Sequence, residues 1–289
     1  DSLDLLSLIL PEIDSLKDVT QSPPHLFDVW RHTLHVVDFL DRILQTIGEE
    51  RSDGTAANFA LGMIAYSFVD LREQLQQHLR QTWPVERSHR ALLIFAALSH
   101  DSGKPITRSV GSDGRIHFYD HEDAGEIIVK QWGRSLALSN DEIVRLGTIV
   151  RNHMRPLQLS LHSTIPSRRA QYRFWRDAGP AGVDVCLLTM ADYLGKRGGK
   201  VDQQAWIDYL QMIHTLLDGY YHQSETLVNI KPLVDGNTLM KHLELSPGPQ
   251  LGKLIAALRE AQALQQIHSS EEALTWAAAW LDDNAENSD

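Results

Sequence analysis

Residues 91–98 form an unbroken apolar run, and with only Ser99 between, His100 and Asp101 follow it. A segment that is apolar on nearly every face belongs in the interior of a helical protein. The run is far shorter than the roughly 18 apolar residues of a membrane span, and Gly103 and Pro105 end it. An imidazole and a carboxylate at the end of a buried helix are costly unless something compensates them. Two arrangements do so: a hydrogen-bonded His–Asp pair or cap, and a metal site.

Helical periodicity occupies almost all of the remaining chain. Ser22-Pro23-Pro24 precedes a helix expected over 27–46, with Val29, Trp30, Thr33, Val36, Val37, Leu40 and Leu44 on its buried side. A loop at 51–54 leads to a second long helix over 56–80, before Pro84. The polar stretch 106–116, with Gly111 and Gly114, reads as a loop or small hairpin. Further helices are expected over 120–134, 141–152, 167–177, 181–195 and 202–222, with Ser139 to Glu142 as a capped start. A break at 232–236 divides the chain into a main domain, 1–231, and a helical tail, 232–289. In that tail short helices flank Ser246-Pro247-Gly248-Pro249, and a last helix covers 270–281. No sustained strand pattern, repeat or low-complexity tract is present. The expected fold is all-α, a helical bundle with a small C-terminal helical appendage.

The 289 residues are 43% hydrophobic and 22% charged, an ordinary soluble composition. The net charge of −11 argues against a broad phosphate-binding face but leaves room for a local basic patch. A single cysteine, Cys186, excludes an internal disulfide framework and suits a reducing cytosol. The start, Asp1-Ser2-Leu3-Asp4, lacks the basic region of a secretory signal, so a cytoplasmic location with no membrane association is expected. The chain has no initiator Met and reads as part of a longer or processed polypeptide. Oligomeric state has no sequence signal.

Fourteen histidines are present, and a few stand in strongly apolar helical text. His32 lies on the first long helix, Asp192 in the apolar segment 187–194, His121 in 117–125, and His153 at the end of the helix carrying Ile149 and Val150. Each alone is more often a satisfied core or surface group than a ligand. Five separate helical segments carrying such groups, counting His100-Asp101, are harder to attribute to chance.

In this the chain resembles the HD superfamily of metal-dependent phosphohydrolases, whose signature is a His, then a His-Asp pair, then a distant Asp on successive helices. His32, His100-Asp101 and Asp192 match in type and order, and His121 and His153 match the extra histidines of two-metal members. The resemblance implies one or two divalent ions (Mn, Fe, Ni, Co, Mg or Zn) held by His32, His100, Asp101, His121, His153 and Asp192. Imidazole and carboxylate donors suit such ions. Asp101 would bridge them, and a metal-activated water would hydrolyse a phosphate ester. Lys104 matches a lysine that often follows the His-Asp pair; it would contact a substrate phosphate, or else be a solvated loop lysine. His35 and His117 lie one turn from His32 and His121, as supporting groups or bland surface residues. Asp28 either orients His32 or simply begins its helix.

Longer stretches extend the likeness. Asp28-Val29-Trp30-Arg31-His32-Thr33, Gly114 to Glu122, Val150 to Pro156, Arg168 to Phe174 and the tail motifs Asp235-Gly236-Asn237 and Ser246-Pro247-Gly248-Pro249 resemble the HD and C-terminal region of bacterial tRNA nucleotidyltransferase/poly(A) polymerase-like proteins. The paired-carboxylate strand that holds magnesium in the polymerase head of that family is not found in this chain, so nucleotide addition by it alone is not expected. The expected activity is hydrolysis of a nucleotide or RNA-terminal phosphate ester, of phosphatase or cyclic phosphodiesterase type, with Asp101 and Lys104 as catalytic groups. The alternative is a tRNA- or RNA-binding helical body with a structural or vestigial metal site. Arg168, Arg169, Arg173 and Arg176, beside Tyr172 and Trp175, read either as a phosphate-contact stripe with stacking rings or as a solvated helix face. Lys196-Arg197-Gly198-Gly199-Lys200 reads either as a loop recruiting phosphate or as a plain helix C-terminus.

Overall fold

The computed structural model describes residues 5–48, 58–84 and 86–285. The expected loop at 51–54 and the start of the second helix at Ala56 lie outside the described residues. The fold is all-α apart from one short hairpin. In chain order the helices are α1 (Leu5–Ile9), α2 (Val29–Ile47), α3 (Phe59–Ser67), α4 (Arg72–Arg80), α5 (His89–Ser99) and α6 (Lys104–Thr107). The hairpin strands β1 (Arg108–Val110) and β2 (Ile116–Phe118) precede α7 (His121–Ser135), α8 (Asn140–Asn152) and α9 (Arg155–Ser160). Then come α10 (Arg168–Ala178), α11 (Gly182–Gly195), α12 (Gln203–His222), α13 (Ser224–Leu227), α14 (Gly236–Leu243), α15 (Pro249–Ala263) and α16 (Ser270–Ala285). A short 3-10 helix, Pro11–Leu16, separates α1 from α2.

Two compact units divide these residues: 1–165 with 177–217, and 166–176 with 218–289. In the first, α11 is buried at every position but Tyr193 and packs against α2. Helix α2 packs in turn on α5, and α7 pairs with α8. Val36, Leu40 and Ile43 on α2 are fully buried, each worth about 2 kcal/mol of apolar transfer. Helix starts follow local chemistry. The Asp28 side chain accepts the Arg31 N–H at 2.8 Å, and Ser139 with Glu142 forms a reciprocal capping box on α8.

The expected helix over 56–80 is two helices, α3 and α4, broken at 68–71. The stripe Ile64, Phe68, Leu71 and Leu75 is buried and keeps helical spacing through the break, so periodicity does not reveal it. The turn, with the Leu71 N–H donating to the Phe68 carbonyl, redirects the chain so that α4 packs on α2 and α5. Two further helices, α6 and α9, begin at prolines that read as terminators. Pro105 and Pro156 sit in their first turns, where a missing N–H costs nothing.

The 106–116 stretch does form a hairpin, with Arg108 opposite Phe118 and Val110 opposite Ile116. In the second unit, Leu239, Leu254, Leu258, Ala261, Ile267, Ala273 and Ala277 form one core on α14, α15, α16 and the loop before α16.

Candidate metal centre

All six residues singled out from the sequence meet in the first unit. His32 comes from α2, His100 and Asp101 from the end of α5, His121 from the first turn of α7, His153 from the end of α8 and Asp192 from α11. Each is buried. Asp101 lies at the middle: its Oδ2 is 3.6 Å from His32 Nε2 and 3.3 Å from His100 Nε2. Its Oδ1 is 3.6 Å from His121 Nε2 and 3.9 Å from His153 Nε2. Asp192 Oδ1 lies 3.0 Å from His32 Nε2.

Close backbone packing sets these distances. A Cβ on Gly103 would land on the His121 carbonyl oxygen and within 2.7 Å of the Gly125 amide nitrogen, so only glycine lets α7 approach the His-Asp turn. A Cβ on Gly195 would stand 2.7 Å from Val36 Cγ2, at the contact that brings Asp192 beside His32.

Three imidazoles are oriented by the same device. The Nδ1 atoms of His100, His121 and His153 face the carbonyls of Ala97, Phe118 and Val150 at 2.8, 2.9 and 2.6 Å. A carbonyl only accepts, so each Nδ1 carries the proton and each Nε2 of the neutral ring presents a lone pair. Those three Nε2 atoms and both His32 nitrogens complete no hydrogen bond of good geometry, and Asp101 Oδ2 has an ion pair with Lys104 in place of one. Orphaned buried polar atoms are rare and costly. Here they converge as two groups, His32/His100/Asp101 and Asp101/His121/His153, whose ligand atoms lie within 4.8 Å of one another. The donor set and the orphaned atoms fit divalent ions, with Asp101 shared.

The electrostatics agree with that fit for Asp101, Asp192, His32 and His153. Burial raises Asp101 and Asp192, but His100 and Lys104 beside the first, and Lys196 and His32 beside the second, outweigh it and hold both carboxyls well below their usual range. Burial pushes His32 down and His153 to about 3, which keeps those rings neutral. His100 differs: burial lowers it, and the adjoining Asp101 carboxylate more than compensates.

A cleft of about 340 Å³ opens over the cluster, lined on one side by residues 21–25 and on the other by Arg115 to Phe118. Lys104 is buried, not solvated: its Nζ lies 2.7 Å from Asp101 Oδ2 and donates to Gln21 Oε1 at 2.7 Å. His117 lines the cleft, whereas His35 packs in a tilted arrangement against Phe27 with ring centroids 4.4 Å apart. Asp28 begins α2 and its carboxylate is spent on the Arg31 N–H. Sequence reasoning gave Gln21, Ser22 and His25 no role, although the stretch that holds them shares in the family likeness. They lie in an irregular segment where periodicity is silent, and the only local pointer is its Pro-rich text just before the His32 helix.

The basic clusters resolve differently. Lys196 turns inward to Asp192 Oδ2 at 2.9 Å, and the Gly199 N–H donates to the Leu194 carbonyl at 2.8 Å, the geometry of a helix C-terminus. In the second unit Arg169, Arg173 and Arg176 converge on Glu260, with Arg173 Nη2 at 2.7 Å from Oε1. Tyr172 and Trp175 are buried, so the expected stacking rings are core residues. Arg168 donates to the Ala263 and Thr226 carbonyls and to Gln223.

Two family models match the chain in succession. The HD domain family model matches residues 29–196, the span holding all six clustered residues. The model described as tRNA nucleotidyltransferase domain 2, putative, matches residues 203–278. A CC-adding tRNA nucleotidyltransferase of Thermus thermophilus is 28% identical over 96% of this chain and 50% of its own length. An A-adding tRNA nucleotidyltransferase of Deinococcus radiodurans is 27% identical over 98% of this chain and 54% of its own. The chain spans about half the length of the curated relatives it matches. With its helical order, its buried His and Asp cluster and the family match over most of the first unit in accord, the chain belongs to the HD domain family.

Proposed function

We propose that this chain is the HD-bearing helical body of a tRNA nucleotidyltransferase-like protein and that it binds RNA, with tRNA as its partner. The observation that carries this reading is the succession of the two family matches along this chain, 29–196 and 203–278, together with relatives named as tRNA nucleotidyltransferases. The Arg169, Arg173 and Arg176 face supports it: three guanidinium groups gather on one helix at the Glu260 carboxylate of an otherwise acidic chain. Filter binding of tRNA over a salt series tests it. Arg173→Ala should weaken binding and His100→Ala should not; tRNA binding that ignores both salt and Arg173 would remove the reading.

A second reading is favoured by the cluster itself. A vestigial site has no reason to keep orphaned lone pairs directed at one buried carboxylate, so we infer a working phosphohydrolase site for a nucleotide or RNA-terminal phosphate ester. His32, His100, Asp101, His121, His153 and Asp192 would hold one or two divalent ions, which when bound supply charge neutralisation and an acidified water. The protein's own groups bind and orient: Asp101 spans both histidine groups, Lys104 stands beside it facing the cleft, and the Nδ1 contacts lock the rings. Metal analysis, then a screen of 2′,3′-cyclic nucleotides and phosphomonoesters with Mn, Ni or Mg, tests this reading. No metal and no turnover would defeat it. The proposed division into residues 1–231 and a tail from 232 is tested by limited proteolysis, which should cut near the 232–236 break.

A further inference from the structure

Three cations line the cleft over the cluster: Lys104, Arg115 and Lys196. Two of them already face ligand carboxylates, Lys104 at Asp101 and Lys196 at Asp192, at 2.7 and 2.9 Å. They belong to the charge balance of the cluster. Arg115 is different. It stands on the hairpin, it is exposed, and among the described residues its guanidinium meets no carboxylate.

Its position is nonetheless built. The Ile116 N–H donates to Ser22 Oγ at 2.7 Å, tying the hairpin to the opposite wall of the cleft. The Arg115 carbonyl accepts the Gly111 N–H at 2.8 Å, which closes the turn. Phe118, at the end of β2, lies under Lys104 Nζ at 5.4 Å from the ring centroid. The neighbouring Asp113 carboxylate accepts the Arg115 backbone N–H at 3.0 Å. A guanidinium at the wall of such a cleft, paired with no carboxylate among the described residues, suits a planar fork of phosphate oxygens. Beside it His117 lies parallel to the exposed Tyr119, with interplanar angle 7° and centroids 5.2 Å apart. Such a flat aromatic surface suits a base.

We propose that the hairpin is the substrate-recognising wall and that Arg115 anchors a phosphate which does not react. The reacting phosphate belongs at the buried ligands, whereas Arg115 is at the exposed rim, so the two anions are separate groups of one substrate. The substrate class is then a nucleotide chain end with a second phosphate, such as an RNA terminus, in preference to a mononucleotide. This rests on the hydrolytic reading of the same site.

The test compares the Mn-loaded protein with its Arg115→Ala and Arg115→Lys variants on two esters, a dinucleotide ending in a 2′,3′-cyclic phosphate and the matching cyclic mononucleotide. The parent should prefer the dinucleotide in kcat/KM. Arg115→Ala should lose about tenfold of that preference, mostly in KM, as expected for one charge-assisted contact, and Arg115→Lys should recover part of it. Fluorescence anisotropy with a labelled oligoribonucleotide ending in a 3′-phosphate reads binding without turnover and should show a similar loss. An unchanged preference together with unchanged anisotropy overturns the proposal. Absence of turnover on both esters with a weakened anisotropy titration would instead retain Arg115 as an anchor and defeat the hydrolytic reading. Thermal melting of each variant, at an exposed position, separates misfolding from either outcome.

Discussion

Asp101 directs one carboxylate oxygen at His32 and His100 and the other at His121 and His153. Loss of its charge should therefore empty both groups, whereas His153→Ala should disturb only one. Metal content per chain after dialysis is expected to fall to near zero for Asp101→Asn and by about half for His153→Ala, if each group holds an ion. Retention of full metal by Asp101→Asn would refute the shared-ligand geometry. A second set of residues contributes to acid stability. Burial, with Arg145 adding to it, holds His89 at about 4, below its ordinary 6.5, so its contribution is present above that value and lost as pH falls toward 4. The Arg87 fork holds Glu142 at about 2, so its contribution is lost only as pH falls from about 4.5 toward 2. Urea midpoints measured against pH should decline in these two windows, and Glu142→Gln should flatten the lower one.

Among the elements, α7 depends on Gly103. Gly103→Ala should cost about 1–3 kcal/mol, the range for overpacking a tight contact, and should displace His121. Chemical denaturation reads the first effect and metal content the second; a variant unchanged in both would mean the contact yields easily. At α8, Ser139→Ala removes half of the capping box and should cost about 1 kcal/mol. Much of this level was legible in the sequence. The apolar text of α2, α5 and α11 marked their burial, and Ser139 and Glu142 marked a start, because these signals are local. The break between α3 and α4 was not legible, since Phe68 and Leu71 keep the helical stripe across it. Gln21, Ser22, His25 and Arg115 carried no assigned role, because irregular segments have no period from which to infer a facing side.

For the whole chain, the charge of −11 and the local excess of arginine around Glu260 make opposite claims about RNA. Salt dependence decides between them. If Arg173 contacts a phosphate, Arg173→Ala should lower the slope of log affinity against log salt by about 0.7–0.9. An unchanged slope would make the arginine face an internal ion-pair network only. Residue types alone determined the helical class and the ligand chemistry, because a period of 3.6 and the cost of burying His and Asp are properties of the chain itself. Only the tertiary structure decided which nitrogens face Asp101, that Lys104 and Lys196 turn onto ligand carboxylates, and that the Arg115 guanidinium pairs with no carboxylate among the described residues. The imidazole distances join residues far apart in the chain and are set by how closely helices pack at Gly103 and Gly195, whereas each lysine reaches a carboxylate within one helical turn of itself and is fixed there by the burial of both partners.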